Sequence, residues 1–217
     1  MDRSRPPFVA AAVLLAALAG FVDALAYLNL GGFFAAFMSG NTTRLGVGLA
    51  TGDFASGAVA AALILSFVCG VMIATMLAAR FPRRHRAAVM LAVTVLLALA
   101  ALLSGFTDRG FPLMLLAVAM GAENGIFDRE GEFGGGLTYI TGTLVRFGQR
   151  LTGALIGSDS RFGWVPWLLM WLGFALGVLV GGRAHLVLGN AALWAAAGAA
   201  ALLTLVVAGL TWNGRPE

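Results

Sequence analysis

Apolar residues run along this chain without the three-and-four spacing of an amphipathic helix or the alternation of a strand. Six segments are nearly continuous in hydrophobicity: Phe8 to Leu30, Phe54 to Ala79, Ala87 to Phe106, Phe111 to Phe127, Phe162 to Gly182, and Leu186 to Trp212. A helix needs roughly 20 apolar residues to cross a bilayer core of about 30 Å, and these segments reach or approach that length. Two other stretches break the pattern. Gly31 to Asp53 and Gly131 to Ser160 are rich in Gly and Thr, and each carries an Arg mid-segment. They are too apolar for ordinary loops and too polar for lipid-facing spans. Irregular backbone at membrane depth survives only where protein or a water-filled cavity surrounds it. The pattern therefore predicts two re-entrant or broken half-helix segments among six spans, in an all-α polytopic membrane protein. A version in which both short segments cross fully, giving eight spans, is the competing topology.

The two broken stretches share a motif. Ser39-Gly40-Asn41-Thr42-Thr43-Arg44-Leu45-Gly46 returns, displaced by 102 residues, as Thr141-Gly142-Thr143-Leu144-Val145-Arg146-Phe147-Gly148. Gly20-Phe21-Val22-Asp23 returns as Gly121-Ala122-Glu123-Asn124, displaced by 101. A ladder of small residues at Gly70, Ala74 and Ala78, closed by Arg80, returns 103 residues later as Gly173, Gly177, Gly181 and Arg183. The chain thus reads as one membrane domain of two repeats, 8–106 and 111–212. Three crossings per repeat is an odd number, so the second copy enters from the opposite side, which is an inverted-topology repeat.

Composition agrees. The chain has 217 residues, 60% hydrophobic and 11% charged, against about 25% charged in soluble domains. All fourteen basic residues are Arg. With the N-terminus inside, Arg3, Arg5, Arg80, Arg83, Arg84, Arg86, Arg129, Arg150, Arg161 and Arg215 fall on the inner side and only Arg109 and Arg183 outside, as the positive-inside rule expects. The expected location is a bacterial cytoplasmic (inner) membrane, with both termini cytoplasmic. The net charge of +4 lies in short loops and forms no basic face for nucleic acid. The lone Cys69 excludes an internal disulfide and is expected in a small-residue packing slot.

The run Gly20-Phe21-Val22-Asp23-Ala24-Leu25-Ala26-Tyr27-Leu28, followed by Phe37-Met38 and the first motif copy, resembles the YoaK-like family of small bacterial inner-membrane proteins. The run Thr141 to Gln149 is also similar to that family's pattern. The resemblance spans nearly the whole chain. It implies about six membrane helices and a cytoplasmic-membrane location, and no activity. The loop Asp128-Arg129-Glu130-Gly131-Glu132 departs from it by being more acidic.

Function must then come from the polar residues inside the spans. Asp23 lies deep in the first, and Glu123 and Asn124 hold the matching place in the fourth. A carboxylate at mid-bilayer costs about 2.5–3.5 kcal/mol on insertion scales, so each needs a partner or water. One reading makes Asp23, Ser39, Asn41, Thr42 and Arg44 face Glu123, Asn124, Thr141, Thr143 and Arg146 across a midplane solute site. There the carboxylates would gate or couple, the arginines would hold the solute's charge, and the hydroxyls would cap half-helix N-termini. The solute expected from two arginines and two helix N-termini is small and anionic or carboxylate-bearing. The structural alternative is a pair of salt bridges, Asp23 with Arg44 and Glu123 with Arg146.

A transporter is the expectation. The other possibility is a non-transporting accessory or sensor protein, binding partner helices, or a second copy of itself, through the small-residue faces. His85 and His185 sit at span edges, and no motif for an enzyme, a metal or a cofactor is present. Trp164, Trp167 and Trp212 suit the membrane interface, and Trp171 and Trp194 suit packing.

Overall fold

A computed structural model describes residues 6–106, 110–126 and 140–212. Eight α-helices lie among them: α1 Pro6–Asn29, α2 Met38–Thr51, α3 Phe54–Arg80, α4 His85–Leu103, α5 Gly110–Asn124, α6 Ile140–Leu155, α7 Val165–Leu188 and α8 Ala192–Trp212. Four apolar stretches are long enough to cross a membrane: Val9–Asn29, Phe54–Arg80, His85–Leu103, and Val165–Gly209, whose 45 residues hold both α7 and α8. Pro112–Asn124 in α5 is a shorter apolar helix. The long helices turn large apolar side chains outward, such as Leu65, Met76, Leu179 and Leu205, while Ala and Gly fill the contacts between them. In water this distribution would be untenable, and in lipid it is the expected one. The protein is an all-α, multi-pass membrane protein. The acidic loop and the arginines at positions 3, 5, 109, 129 and 215 lie outside the described residues.

The path of the chain separates the six-crossing from the eight-crossing topology. Asn29 at the end of α1, Ser104 just past α4, Pro112 and Leu113 near the start of α5, Asn190 between α7 and α8, and Leu193 at the start of α8 surround one small cavity. All these helix ends therefore share one face of the bundle. α3 runs parallel to α5, because Gly121 abuts the Phe67 carbonyl and Gly125 abuts Ala74. So α3 starts at the face where α1 ends, and α2 does not cross. α7 runs parallel to α1, with Gly173, Gly177 and Gly181 against Val13, Ala17 and Phe21 in turn. It therefore starts at the opposite face, where α5 ends, and α6 does not cross either. α2, at 14 residues, and α6, at 16, are re-entrant.

The small-residue faces serve contacts within the chain. A Cβ at Gly177 would overlap the Ala17 carbonyl oxygen, and one at Gly70 the Val118 carbonyl oxygen. Only glycine allows backbones that close. Within the chain, α1 covers the glycine face of α7, and α5 packs against Gly70 and Ala74 of α3. The ladder register differs from the sequence alignment. Ala17 and Val118 stand 101 residues apart, so Gly177 is the packing counterpart of Gly70, a displacement of 107 rather than 103. Phe174 and Phe67, which receive Gly20 and Gly121, obey the same 107. The extra residues lie between α6 and α7, which are nine residues apart, where α2 and α3 are separated by Gly52-Asp53 alone. Gly recurs every four residues along α7, so a one-turn slip left the sequence match looking intact.

Three smaller expectations also change. α7 continues through Arg183 and His185 to Leu188, because basic residues suit a helix C-terminus and Gly189, at φ 56°, is what ends it. Cys69 is exposed on α3 and fills no slot. Trp194 faces outward from the start of α8.

Candidate functional site

Residues 30–37 leave the end of α1 and dip back into the bundle before α2 begins. Their main-chain groups at that depth need partners, and two side chains supply them. The Asp23 Oδ1 accepts the N–H of Ala35 at 2.8 Å and of Ala36 at 2.7 Å. The Asn41 side chain closes a two-bond pair with Phe34: Nδ2 donates to the Phe34 carbonyl at 2.8 Å, and Oδ1 accepts the Phe34 N–H at 3.1 Å. Asp23 and Asn41 are both buried. The first re-entrant tip is thus pinned by a carboxylate and an amide of the chain itself.

This arrangement replaces the expected capping. The residue before α2 is Phe37, which makes no side-chain cap. Ser39 is exposed on the first turn of α2, and Thr42 returns its hydroxyl to the Met38 carbonyl at 2.9 Å. Asp23 takes the N–H groups of Ala35 and Ala36, just before α2 begins.

Neither expected salt bridge forms. The Arg44 guanidinium lies 4.5 Å from the Phe33 ring centre and against Gly32, whose φ of +98° and missing Cβ make room for it. Arg146 lies 5.0 Å from the Trp167 ring centre. Each arginine is held on an aromatic face, a contact worth about 0.5–2 kcal/mol. Glu123 is fully buried in α5, and neither of its oxygens has a hydrogen-bond partner among the described residues. Asn124, which stands where Asp23 stands in the other half, donates to the Met120 carbonyl at 2.8 Å. Thr143 is buried and engaged by a further contact, while Thr141 is exposed at the start of α6.

The first re-entrant tip and the start of α6 reach one cavity of about 520 Å³. Asp23, Ala24, Tyr27 and Leu28 come to it from α1, Phe34 and Phe37 from the first tip, Ile140 and Thr141 from the start of α6, and Phe174, Val178 and Gly182 from α7. Of the ten residues expected at a solute site, Asp23 and Thr141 line it. Arg44 and Arg146 are not among its described lining residues. The rings were missed. Tyr27 lies tilted against Phe34 at 5.3 Å between centres, and Phe34 meets Phe37 edge-on at 5.2 Å. Their signal was the crowding of Phe33, Phe34 and Phe37 into a stretch that otherwise reads as a glycine turn.

The family described as "Protein of unknown function (DUF1275)" matches residues 11–206. The chain is 38% identical over 187 residues to the UPF0700 transmembrane protein RA0705 of Rhizobium meliloti (strain 1021), covering 86% of this chain and 80% of that one. It is 29% identical over 155 residues to the UPF0700 transmembrane protein YoaK of Bacillus subtilis (strain 168), covering 68% and 69%. No solved structure matches. With its helical bundle, two re-entrant segments and this match across nearly all its length, the chain belongs to the DUF1275 family of YoaK-like membrane proteins.

Proposed function

We propose that this protein moves a small solute across a bacterial cytoplasmic membrane by alternating access, with both termini in the cytoplasm. The observation that carries the reading is the cavity in which the tip of the first re-entrant segment meets the start of α6 beside Asp23. Discontinuous segments of this kind line the substrate sites of transporters built from inverted repeats.

The helix pairings support the inverted repeat. α1 packs on α7 as α5 packs on α3, exchanging the two halves of the chain. α4 packs on α8, where Thr94 and Thr204 hydrogen-bond at 2.9 Å, a contact that a two-fold axis would map onto itself. α2 lies on α3 as α6 lies on α7. Rocking one pair against the other would open the cavity to alternate sides. Glu123, buried in α5 without a hydrogen bond among the described residues, is the candidate for coupling to protons.

Purified protein in liposomes should take up a solute from a mixed panel of small metabolites, and a cavity-filling Val178→Trp variant should not. Absence of uptake for every solute class, or equal uptake by Val178→Trp, would remove the transport reading.

A further inference from the structure

The cavity's lining carries an asymmetry of charge. Among the described residues, Asp23 is its single ionisable acid, and no Arg or His lines it. The two N–H groups on Oδ1 satisfy hydrogen bonds without cancelling the charge. The N-terminus of α2 adds a partial positive charge nearby, which is less than a carboxylate carries. Around it stand four aromatic rings, Tyr27, Phe34, Phe37 and Phe174. The faces of such rings are negative and attract cations. The hydroxyls of Tyr27 and Thr141 border the same space and make no hydrogen bond among the described residues. The volume of about 520 Å³ falls inside the range of roughly 300–1,000 Å³ usual for small-molecule sites.

We infer that this cavity binds a compact organic cation with an aromatic or apolar body, its charged nitrogen directed to Asp23 and its body against Tyr27, Phe34, Phe37 and Phe174. The inference deepens the transport reading and uses the same cavity. An anion placed there would face a carboxylate, with no basic side chain among the described lining residues to offset it. A neutral apolar molecule would gain the rings and forgo the charge.

The probe is benzyltrimethylammonium, with neopentylbenzene as its uncharged isostere and phenylacetate as the anion. Binding to the purified full chain in nanodiscs is followed by calorimetry. The cation should bind, the isostere at least tenfold more weakly, and phenylacetate not measurably. Asp23→Asn keeps an oxygen for the Ala35 and Ala36 N–H groups and should weaken cation binding at least tenfold. Should Asp23→Asn fail to fold, Val178→Trp fills the cavity from α7 without touching those hydrogen bonds, and should abolish binding. Cation binding that is absent, is matched by the isostere or by phenylacetate, or survives in either folded variant would overturn the inference. Cation binding without uptake into liposomes would keep the site and remove the transport reading. Uptake of neutral or anionic solutes without cation binding would do the reverse.

Discussion

Asp23 and Ala35 are joined by a 2.8 Å hydrogen bond from the Ala35 N–H to the carboxylate, across the turn between α1 and α2. With its neighbour from Ala36, this bond holds the first re-entrant tip at depth. Hydrogen bonds to charged groups contribute about 1.5–3 kcal/mol each, and an abandoned buried donor adds its own cost. Asp23→Ala should therefore destabilise by about 3 kcal/mol or more, and Asp23→Asn, which keeps an acceptor, by about half that. Thermal unfolding in detergent reads the difference, and equal losses would show that the oxygen is not the tether.

Arg44 rests on Phe33 rather than on Asp23. A double-mutant cycle with Asp23→Asn and Arg44→Gln should give a coupling within about 0.5 kcal/mol of zero. A coupling of about 3 kcal/mol, as a broken buried ion pair produces, would restore the salt bridge.

Gly177 and Gly70 occupy equivalent close approaches. Gly177→Ala and Gly70→Ala should each cost about 1–3 kcal/mol, because the helices must separate to admit a methyl group. Gly198→Ala in α8 meets nothing within 4 Å and should be neutral or gain up to about 1 kcal/mol. Stability measurements that rank Gly177→Ala with Gly198→Ala would contradict the backbone contact.

The six-crossing path makes a side-specific prediction. In a Cys69→Ser background, Thr51→Cys and Asn190→Cys should react with an impermeant maleimide from one side of the membrane, and Arg84→Cys and Ser158→Cys from the other. Thr51→Cys labelling from the side of Ser158→Cys, with Arg84→Cys on the side of Asn190→Cys, would mean that α2 and α6 both cross.

Outside the spans, Asp159 pairs with Arg150 at 2.7 Å, which, with the Ser160 N–H, holds its carboxyl below the ordinary value of 3.8. A depressed folded value stabilises above the ordinary carboxylate range and is lost as pH falls through the folded value. The loop between α6 and α7 should therefore loosen only in strong acid, seen as faster proteolysis there. Arg150→Ala should move that onset to higher pH.

Span number, the re-entrant stretches and the duplicated motif were legible, because continuous apolar runs broken by Gly and Thr carry their own meaning in lipid. The partners of the polar residues were not. Asp23 and Arg44 are opposite charges in successive segments, and pairing them was the economical guess. Main-chain N–H groups are invisible in a residue string, so nothing in the sequence announced that Ala35 and Ala36 would take the carboxylate instead. Aromatic faces for Arg44 and Arg146 were equally hidden, since Phe33 and Trp167 read as ordinary apolar residues. The glycine ladder misled by its own regularity, as a four-residue slip maps glycine onto glycine.

The glycine contacts tie α1 to α7 and α3 to α5, so each tightly seated pair draws one helix from either half of the chain. The halves are therefore interlaced rather than adjoining. A chain severed between α4 and α5 leaves each fragment with bare glycine grooves whose fillers are on the other piece, so neither folds until the two are made together. The contacts that hold the bundle most tightly thus run between the two halves of the chain rather than within either one.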